Sequence, residues 1–442
     1  MKAVLAISVL ATSLTLLAAG CVGPAPAPPT EEPAPAAAKV TGFAFACPPG
    51  ATVQNPEGLC VGRIATRTES LQEPYVAVHP TNPDIVAVGI NAGHTVQSVR
   101  TEPRPGIDLV LLDIYVSEDG GATWRLSRLP YVEDSAVSSP LPFDDGTVVG
   151  DPALVFGADG VLHASGIASN SQTRGYNVFY AQTTDLGRSW SDITVLTTDD
   201  DNDRNWMDMG PDGTLFVPWQ NVGESSEVAW STDNGATWRT QTAGQKEKEC
   251  LLAGRMAFWE GTPLLLCGGR DRSDNTGVRI LALDMATGDL EEWAELDGMP
   301  CLAPLAVRAL GGPLVVASGW CGVEDAKVAF STDGRTFEVM GLGKAIGVPV
   351  TWLYWHEADP WGNTHFVVRD AAGDVHHVAF DPVARKPILD QVLRGEAPMV
   401  SESAAPAYGD HFYGVAFGAE HGYAVWTRDK GLDFARVEPA WT

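Results

Sequence analysis

The chain has 442 residues, which is enough for two or three domains or for one large domain built from repeated units. Apolar residues make up 45% and charged residues 19% of it, which excludes a globally disordered chain and a coiled coil. The formal net charge of -27 repels phosphate backbones and anionic lipid, so we expect no nucleic-acid partner.

Residues 1–20 have the pattern of a secretory signal peptide, with an apolar stretch from Ala3 to about Ala19. The ending Leu17-Ala-Ala-Gly-Cys21 resembles the lipobox of prokaryotic lipoproteins, which implies cleavage before Cys21 and a diacylglycerol on its sulfur. A plain secretory signal or an uncleaved anchor helix is the alternative. Residues 21–39 are rich in Pro and Ala and predict an extended tether. We therefore expect an extracytoplasmic lipoprotein, at the cell surface or in the periplasm, that contacts the membrane only through the lipid on Cys21.

The other six cysteines form an even set, as expected for disulfides in an oxidising compartment. Their order along the chain predicts three short-range pairs: Cys47–Cys60, Cys250–Cys267 and Cys301–Cys321. The first pair falls in an N-terminal segment, residues 40–70, that precedes the repeats described next. No pair has Cys-x-x-Cys spacing and the histidines do not lie beside the cysteines, so we expect no structural zinc site.

Three segments share the pattern Ser/Thr-x-Asp-x-Gly-x-Ser/Thr-Trp, at 117–124, 183–190 and 231–238, and weaker copies lie at 331–337 and 427–434. In such a turn the Asp accepts backbone hydrogen bonds, the Gly takes a left-handed conformation and the aromatic ring packs between neighbouring sheets. The pattern resembles the Asp box, or BNR repeat, of the sialidase superfamily. The resemblance implies structural roles for Asp119, Trp124, Asp185, Trp190, Asp233, Trp238, Asp333, Phe337, Asp429 and Phe434.

A second set of turn signals, from Asp159-Gly160 to Gly409-Asp410, recurs about every 50 residues between apolar runs. Two eroded boxes near Asp284 and Asp381 complete the same spacing. Together these signals predict an all-β fold, a β-propeller of seven four-stranded blades over 71–442, with six blades as the rival count. The predicted blades are 71–128, 147–195, 203–242, 249–297, 301–343, 350–394 and 397–442. The last unit looks complete, so ring closure either uses a strand from 40–70 or needs none.

The longest predicted loops, 91–108 and 130–150, lie on the face of the propeller opposite the boxes, which we call the loop face. Long loops on one face of a rigid scaffold usually carry binding, and neutral variation of surface loops is the alternative. Inner strands begin on the same face, and six of the seven blades place a carboxylate there: Glu73, Asp151, Asp203, Glu249, Glu357 or Asp359, and Glu402. Converging carboxylates raise one another's pKa or bind a hard cation such as Ca²⁺, the only cofactor that the pattern suggests. In so acidic a chain they are alternatively solvated blade edges.

The resemblance to sialidases spans about 71–442. Family members clamp the substrate carboxylate with three arginines, one in a Phe/Tyr-Arg-Ile-Pro motif, and use a Tyr nucleophile activated by Glu and an Asp acid/base. Here Gly62-Arg63-Ile64-Ala65 lacks the aromatic residue and the proline. The resemblance therefore implies the fold of the family rather than its catalytic activity. The catalytic candidates are Asp151, Asp203, Glu357 and Arg270, and the binding candidates are Glu73, Arg100, Arg104, Asp208, Arg272 and Glu402.

Three functional hypotheses follow from these features. The favoured one is a noncatalytic, lipid-anchored monomer that binds a glycan or a cell-surface protein through its loop face. The second is a glycoside hydrolase of the exo-sialidase type, and the third is an assembly factor for a membrane complex. A carboxylate pair about 5–9 Å apart in a closed pocket favours the hydrolase.

Overall fold

The computed structural model describes residues 40–51, 53–66, 71–94, 109–129, 149–169, 176–197, 202–221, 225–243, 250, 252–268, 277–299, 305–308, 312–319, 326–395, 413–428 and 431–441. Within these ranges the chain is a set of β-strands with a single short helix, α1 (Leu342–Ile346). The strands form seven antiparallel sheets, so the predicted seven-bladed propeller is confirmed. No helix in this part of the chain is long and apolar enough to cross a membrane. The signal peptide, Cys21 and the tether were predicted for residues outside the described ranges.

The seven blades follow one another along the chain, after three N-terminal strands. These strands are β1 (Val40–Ala46), β2 (Val53–Gln54) and β3 (Cys60–Thr66). Blade 1 contains β4 (Leu71–Val78), β5 (Val86–His94), β6 (Leu109–Ser117) and β7 (Arg125–Ser127), and blade 2 contains β8 (Val149–Phe156), β9 (Leu162–Ser169), β10 (Tyr176–Thr183) and β11 (Thr194–Val195). Blade 3 contains β12 (Asn202–Asp203), β13 (Asp208–Met209), β14 (Leu215–Asn221), β15 (Ser225–Ser231) and β16 (Arg239–Ala243). Blade 4 contains β17 (Leu252–Trp259), β18 (Thr262–Gly268), β19 (Val278–Leu283) and β20 (Leu290–Leu296). Blade 5 contains β21 (Leu305–Arg308), β22 (Leu314–Ser318), β23 (Lys327–Ser331) and β24 (Glu338–Gly341). Blade 6 contains β25 (Val350–Ala358), β26 (Thr364–Asp370), β27 (Val375–Asp381) and β28 (Lys386–Arg394), and blade 7 contains β29 (Tyr413–Phe417), β30 (Gly422–Arg428) and β31 (Gly431–Trp441).

The middle strands of each blade are covered on both faces by neighbouring blades. In β14 and β15 every residue is buried, and the first five residues of β14 are accordingly all apolar instead of alternating polar and apolar residues. Outer strands such as β16 are largely exposed and polar. Burial of the middle strands between blades therefore builds the core as a ring around the central channel.

The N-terminal segment closes the ring. β3 pairs with β31 in the register Gly62↔Phe434, and β1 pairs with the remainder of β31, so both act as outer strands of blade 7. An ion pair between Arg63 and Asp433 reinforces this seam. The predicted disulfide Cys47–Cys60 is present and ties the end of β1 to the start of β3. Of the alternatives left open by the sequence, closure by a strand from 40–70 is the correct one.

Closure by the N-terminus changes the assignment of the last unit. The first hairpin of blade 7 lies at 418–421, where the Gly418 N–H donates to the His421 carbonyl, and not at Gly409-Asp410, which lies outside the described residues. Segment 427–434 consequently joins the second strand to the third, on the loop face. The prediction of a fifth box at Asp429 and Phe434 is therefore wrong: Asp429 is outside the described residues, and Phe434 is a buried residue of β31.

The four other box segments share one turn structure. Asp119 accepts hydrogen bonds from the Thr123 N–H at 2.9 Å and from the Ser117 hydroxyl at 2.9 Å. Asp185 and Asp233 accept the equivalent bonds, and in the shortened copy Asp333 accepts one from the Thr336 N–H at 2.7 Å. These turns join the third strand of a blade to the fourth.

The box tryptophans pack against the preceding blade. Trp190 donates from Nε1 to Ser127 Oγ at 2.8 Å, and the Trp238 ring meets Tyr180 edge to face at 4.8 Å between centroids. Trp124 makes the same contact with Phe434 of blade 7, at 5.2 Å. Phe337 is partly buried against the core of blades 4 and 5. The box aromatics therefore seal successive blade junctions.

The second predicted disulfide within the described residues, Cys250–Cys267, is also present. It joins the approach to β17 with β18 and so pins the loop-face rim of blade 4. Cys301 and Cys321 lie outside the described residues.

Candidate functional site

The inner strands of blades 1 to 3 carry an extra residue close to the channel mouth, the opening of the central channel on the loop face. The pairing shifts register between Gln72 and Tyr75 in blade 1 and between Gly150 and Ala153 in blade 2. Such a bulge interrupts the alternation of the strand and turns a side chain in a new direction. The residues in the three bulges, Glu73, Asp151 and Arg204, have positive φ angles of 56°, 51° and 52°. Backbone strain of this kind clusters at functional sites.

Three predicted carboxylates meet at these bulges. Glu73, Asp151 and Asp203 line a cavity of about 230 Å³. The Asp151 carboxylate is hydrogen-bonded to the carboxyl groups of both Glu73 and Asp203. We call this group the carboxylate cluster.

Neighbouring polar groups hold the carboxylate cluster in place. The Asn91 amide donates to Glu73 and accepts from the Asp151 N–H at 2.9 Å. The Arg204 N–H donates to Asp151 at 3.1 Å and to Asp203 at 3.0 Å. The cluster is therefore built from three blades and is positioned largely by the backbone.

Two carboxyl groups of the cluster bind their protons more tightly than ordinary carboxyl groups do. Burial is the main reason why the pKa of Glu73 is raised well above its ordinary value, and the charges of Asp151 and Asp203 raise it further. Burial and the charge of Asp151 raise the pKa of Asp203 to about 6, although Arg204 opposes the shift. Burial and the neighbouring charges therefore favour the protonated form of Glu73, which donates a hydrogen bond.

This proton affinity predicts a pH dependence of stability. The pKa of Asp203 is about 6 in the folded chain and 3.8 ordinarily. Its contribution to the free energy of unfolding is therefore fully present below pH 3.8 and is lost as the pH rises through 6. Because the side chain is 40% exposed, screening limits the loss to about 1 kcal/mol. We expect Asp203→Asn to flatten the pH profile of the unfolding free energy between pH 4 and 7, as measured by urea denaturation. Asp212→Asn, in an exposed turn, is the matched control and should leave the profile unchanged.

An aromatic layer lies beneath the carboxylate cluster. Tyr75 and Trp355 meet edge to face at 5.0 Å, and Trp206 lies 6.0 Å from Trp355. Trp355 Nε1 donates to the Val415 carbonyl at 3.0 Å, and the Tyr75 hydroxyl donates to the Met207 carbonyl at 3.3 Å. These contacts tie inner strands from four blades together across the channel and form the floor of the cavity.

A second cavity, of about 520 Å³, lies on the other side of Tyr75, toward the box face. Its central group is Arg255, whose guanidinium binds Asp208 at 2.7 Å and Glu357 at 2.7 Å. Burial alone lowers the pKa of Arg255, but the charges of Asp208 and Glu357 outweigh it and hold this pKa above its ordinary value. The expectation that Glu357 lies with the carboxylates at the channel mouth is therefore wrong: Glu357 and the binding candidate Asp208 both pair with Arg255 below the aromatic layer.

Several other candidates cannot be placed: Arg100, Arg104, Glu249, Arg270, Arg272 and Glu402 lie outside the described residues. Sequence reasoning also missed Arg255 and the contribution of Trp206 to the cavity wall. A signal for Arg255 was present, because a charged residue inside the apolar run Leu252–Trp259 requires a buried partner.

No family model and no curated protein matches this chain. Among solved structures it is similar to a protein of unknown function from Dyadobacter fermentans, with a TM-score of 0.48 and 13% identity over 90% of this chain and 100% of that one. It is also similar to the intramolecular trans-sialidase of Ruminococcus gnavus, with a TM-score of 0.45 and 10% identity over 77% of this chain and 98% of that one. For the sialidase of Trypanosoma rangeli the TM-score is 0.48 and the identity 11%, and the match covers 89% of this chain but only 57% of the other. These likenesses are of fold alone.

Proposed function

We propose that the channel mouth is a noncatalytic binding site for an uncharged, hydroxyl-rich sugar at the end of a glycan. The observation that carries the proposal is the carboxylate cluster above an aromatic floor, in a cavity of about 230 Å³. Carboxylates accept hydrogen bonds from sugar hydroxyls, and a protonated Glu73 donates one. The rings of Trp206 and Tyr354 supply apolar surface for the faces of a sugar ring.

The charge at the mouth argues against an anionic sugar. Asp151 and Asp203 add negative charge to a chain whose net charge is -27, and a sialic acid carboxylate entering there would be repelled. Of the nearby arginines, Arg255 binds Asp208 and Glu357 below the aromatic floor, and the Arg204 side chain lies 3.9 Å from Asp203. Both positive charges therefore offset carboxylates of the protein itself.

The spacing of the carboxylates argues against hydrolysis. The two carboxyl groups of a glycosidase stand about 5–9 Å apart so that the scissile bond, with or without a water, fits between them. In the cluster Asp151 is in direct hydrogen-bond contact with both neighbours. A glycoside hydrolase of the sialidase-like type stays the second candidate because the raised pKa of Glu73 favours the protonated carboxyl group that a general acid requires.

We further propose that the protein is a monomer held at the extracytoplasmic side of a membrane by a lipid on Cys21. The two disulfides support export, because disulfides persist in oxidising compartments. Labelling with radioactive palmitate in a bacterial host tests the anchor: Cys21→Ser should abolish incorporation, and retained label would contradict it.

A glycan array probed with the full-length chain in mild detergent, with and without Ca²⁺, tests the binding function. We expect binding to neutral glycans, and for the best of them a 10- to 100-fold loss of affinity in Asp151→Asn, the usual effect of losing a charged hydrogen-bond acceptor. A second variant, Trp206→Ala, removes a ring from the cavity wall and should also weaken binding. Its control is Trp441→Ala, at an exposed aromatic residue outside the cavity, which should bind like the unmodified chain. Turnover of fluorogenic glycosides that Asp151→Asn abolishes would instead establish the hydrolase, and binding to a membrane protein without any glycan would favour the assembly factor.

A further inference from the structure

A hairpin of blade 6, remote in sequence from the carboxylate cluster, gathers three metal-ligating side chains. β26 ends at Asp370 and β27 begins at Val375, and the turn between them closes through the Asp370 N–H bond to the Asp374 carbonyl at 2.9 Å. Gly373, with a φ of 98°, gives the turn its left-handed step. The Asp374 N–H donates to Asp370 Oδ1 at 2.8 Å, which fixes that carboxylate and leaves its second oxygen facing the side chain of His376.

His376 is held with one ring nitrogen toward this turn. Its Nδ1 lies 2.7 Å from Asp390 Oδ1 on the neighbouring strand β28, and in the tautomer that donates to this carboxylate Nδ1 carries the proton. Nε2 therefore presents a lone pair. That atom is buried, in a residue that is only 9% exposed, and it has no hydrogen-bond partner, since Asp370 Oδ2 is 3.6 Å away.

The ligand atoms of Asp370, Asp374 and His376 all lie within 4.8 Å of one another, the one such group among the residues that the structure describes. An imidazole with two carboxylates suits a first-row divalent ion such as Zn²⁺, whereas Ca²⁺ prefers oxygen ligands alone. The Asp390–His376 contact is the outer carboxylate that orients a metal-bound histidine in many zinc sites. It gives the arrangement a feature that a chance cluster of surface acids lacks.

We propose that Asp370, Asp374 and the Nε2 atom of His376 bind a Zn²⁺ ion, with water in the remaining coordination position and Asp390 as the positioning residue. The ion would cross-link the tip of the β26–β27 hairpin and so brace the loop-face end of blade 6. The proposal is independent of the function of the channel mouth, because it uses none of the same residues.

The test uses the full-length chain, stripped of metal with EDTA and titrated with Zn²⁺ against a chromophoric chelator at pH 7.5. We expect one ion per chain, an increased melting temperature on binding, and an affinity that falls by at least about 100-fold in His376→Gln and in Asp370→Asn. Asp390→Asn should cost about 10- to 100-fold, the usual effect of an outer partner. Substitution with Co²⁺ should give the intense visible absorption of a four-coordinate site, and this spectrum should be lost in His376→Gln.

Asp212→Asn, in a turn of blade 3, is the matched control and should bind Zn²⁺ like the unmodified chain. Saturable binding that survives both His376→Gln and Asp370→Asn would overturn the proposal, because the ion would then lie elsewhere. An unmodified chain that binds no Zn²⁺ would overturn it as well. If circular dichroism shows that one of these variants is unfolded, Asp374→Asn, at the partly exposed tip of the turn, decides the question in its place.

Discussion

We expect Arg255→Met to lower the free energy of unfolding by about 3–5 kcal/mol, the cost of breaking a buried ion pair by removing one partner. Arg255 is 12% exposed and joins Asp208 of blade 3 to Glu357 of blade 6 across the channel. Methionine fills similar space without the charge, so both carboxylates remain buried without their counterion. Urea denaturation followed by tryptophan fluorescence measures the loss.

The matched control is Arg188→Met. Arg188 pairs with Glu118 on the surface, where both side chains are about half exposed, and such pairs contribute about 0–1 kcal/mol. A triple variant that adds Asp208→Asn and Glu357→Gln to Arg255→Met should recover much of the stability, since no buried charge is then left unpaired. Equal losses in Arg255→Met and Arg188→Met would contradict the proposed role of Arg255.

We expect a loss of about 3–5 kcal/mol also for Phe434→Ala, because Phe434 fills the junction where the ring closes. Its side chain is 1% exposed and lies against Trp124 of blade 1. Gly62 and Gly121 make room for the ring: an added Cβ would lie only 2.4 Å from it at Gly121 and closer still at Gly62. Alanine would leave a cavity between the first blade, the last blade and the N-terminal strand.

Val383→Ala, at an exposed position in a turn of blade 6, serves as the control and should change stability by less than about 0.5 kcal/mol. Thermal or urea unfolding measures both variants. If Phe434→Ala lost less than about 1 kcal/mol, the seam between the two ends of the chain would not be packed as described.

The repeated blades were predictable because each one carries its own local signals. Box turns such as Ser117–Trp124 and hairpin turns such as Asp159-Gly160 depend on neighbouring residues alone, so their spacing predicts the blade number and nearly all blade limits. Ring closure was not predictable in this way. Pairing of Gly62 with Phe434 joins opposite ends of the chain, and neither strand carries a marker of its partner. The wrong prediction of a fifth box followed because the sequence does not show that the N-terminal strand completes the last blade.

The candidate site was likewise predictable only in part. Glu73, Asp151 and Asp203 were predicted to converge because inner strands begin at the channel mouth, and the structure brings them together. Glu357 lies elsewhere because it is not at the start of β25 but near its end, where Arg255 holds it together with Asp208 below the floor. Such a buried network depends on the packing of three blades and has no local sequence pattern.

Isothermal titration of the best neutral glycan from the array, with the unmodified chain and with Asp151→Asn, tests the binding role of the channel mouth most directly. We expect saturable binding to one site per chain, a 10- to 100-fold weaker affinity in Asp151→Asn, and recovery of the glycan intact. Equal affinities for the two chains, or recovery of a cleaved glycan, would contradict this role.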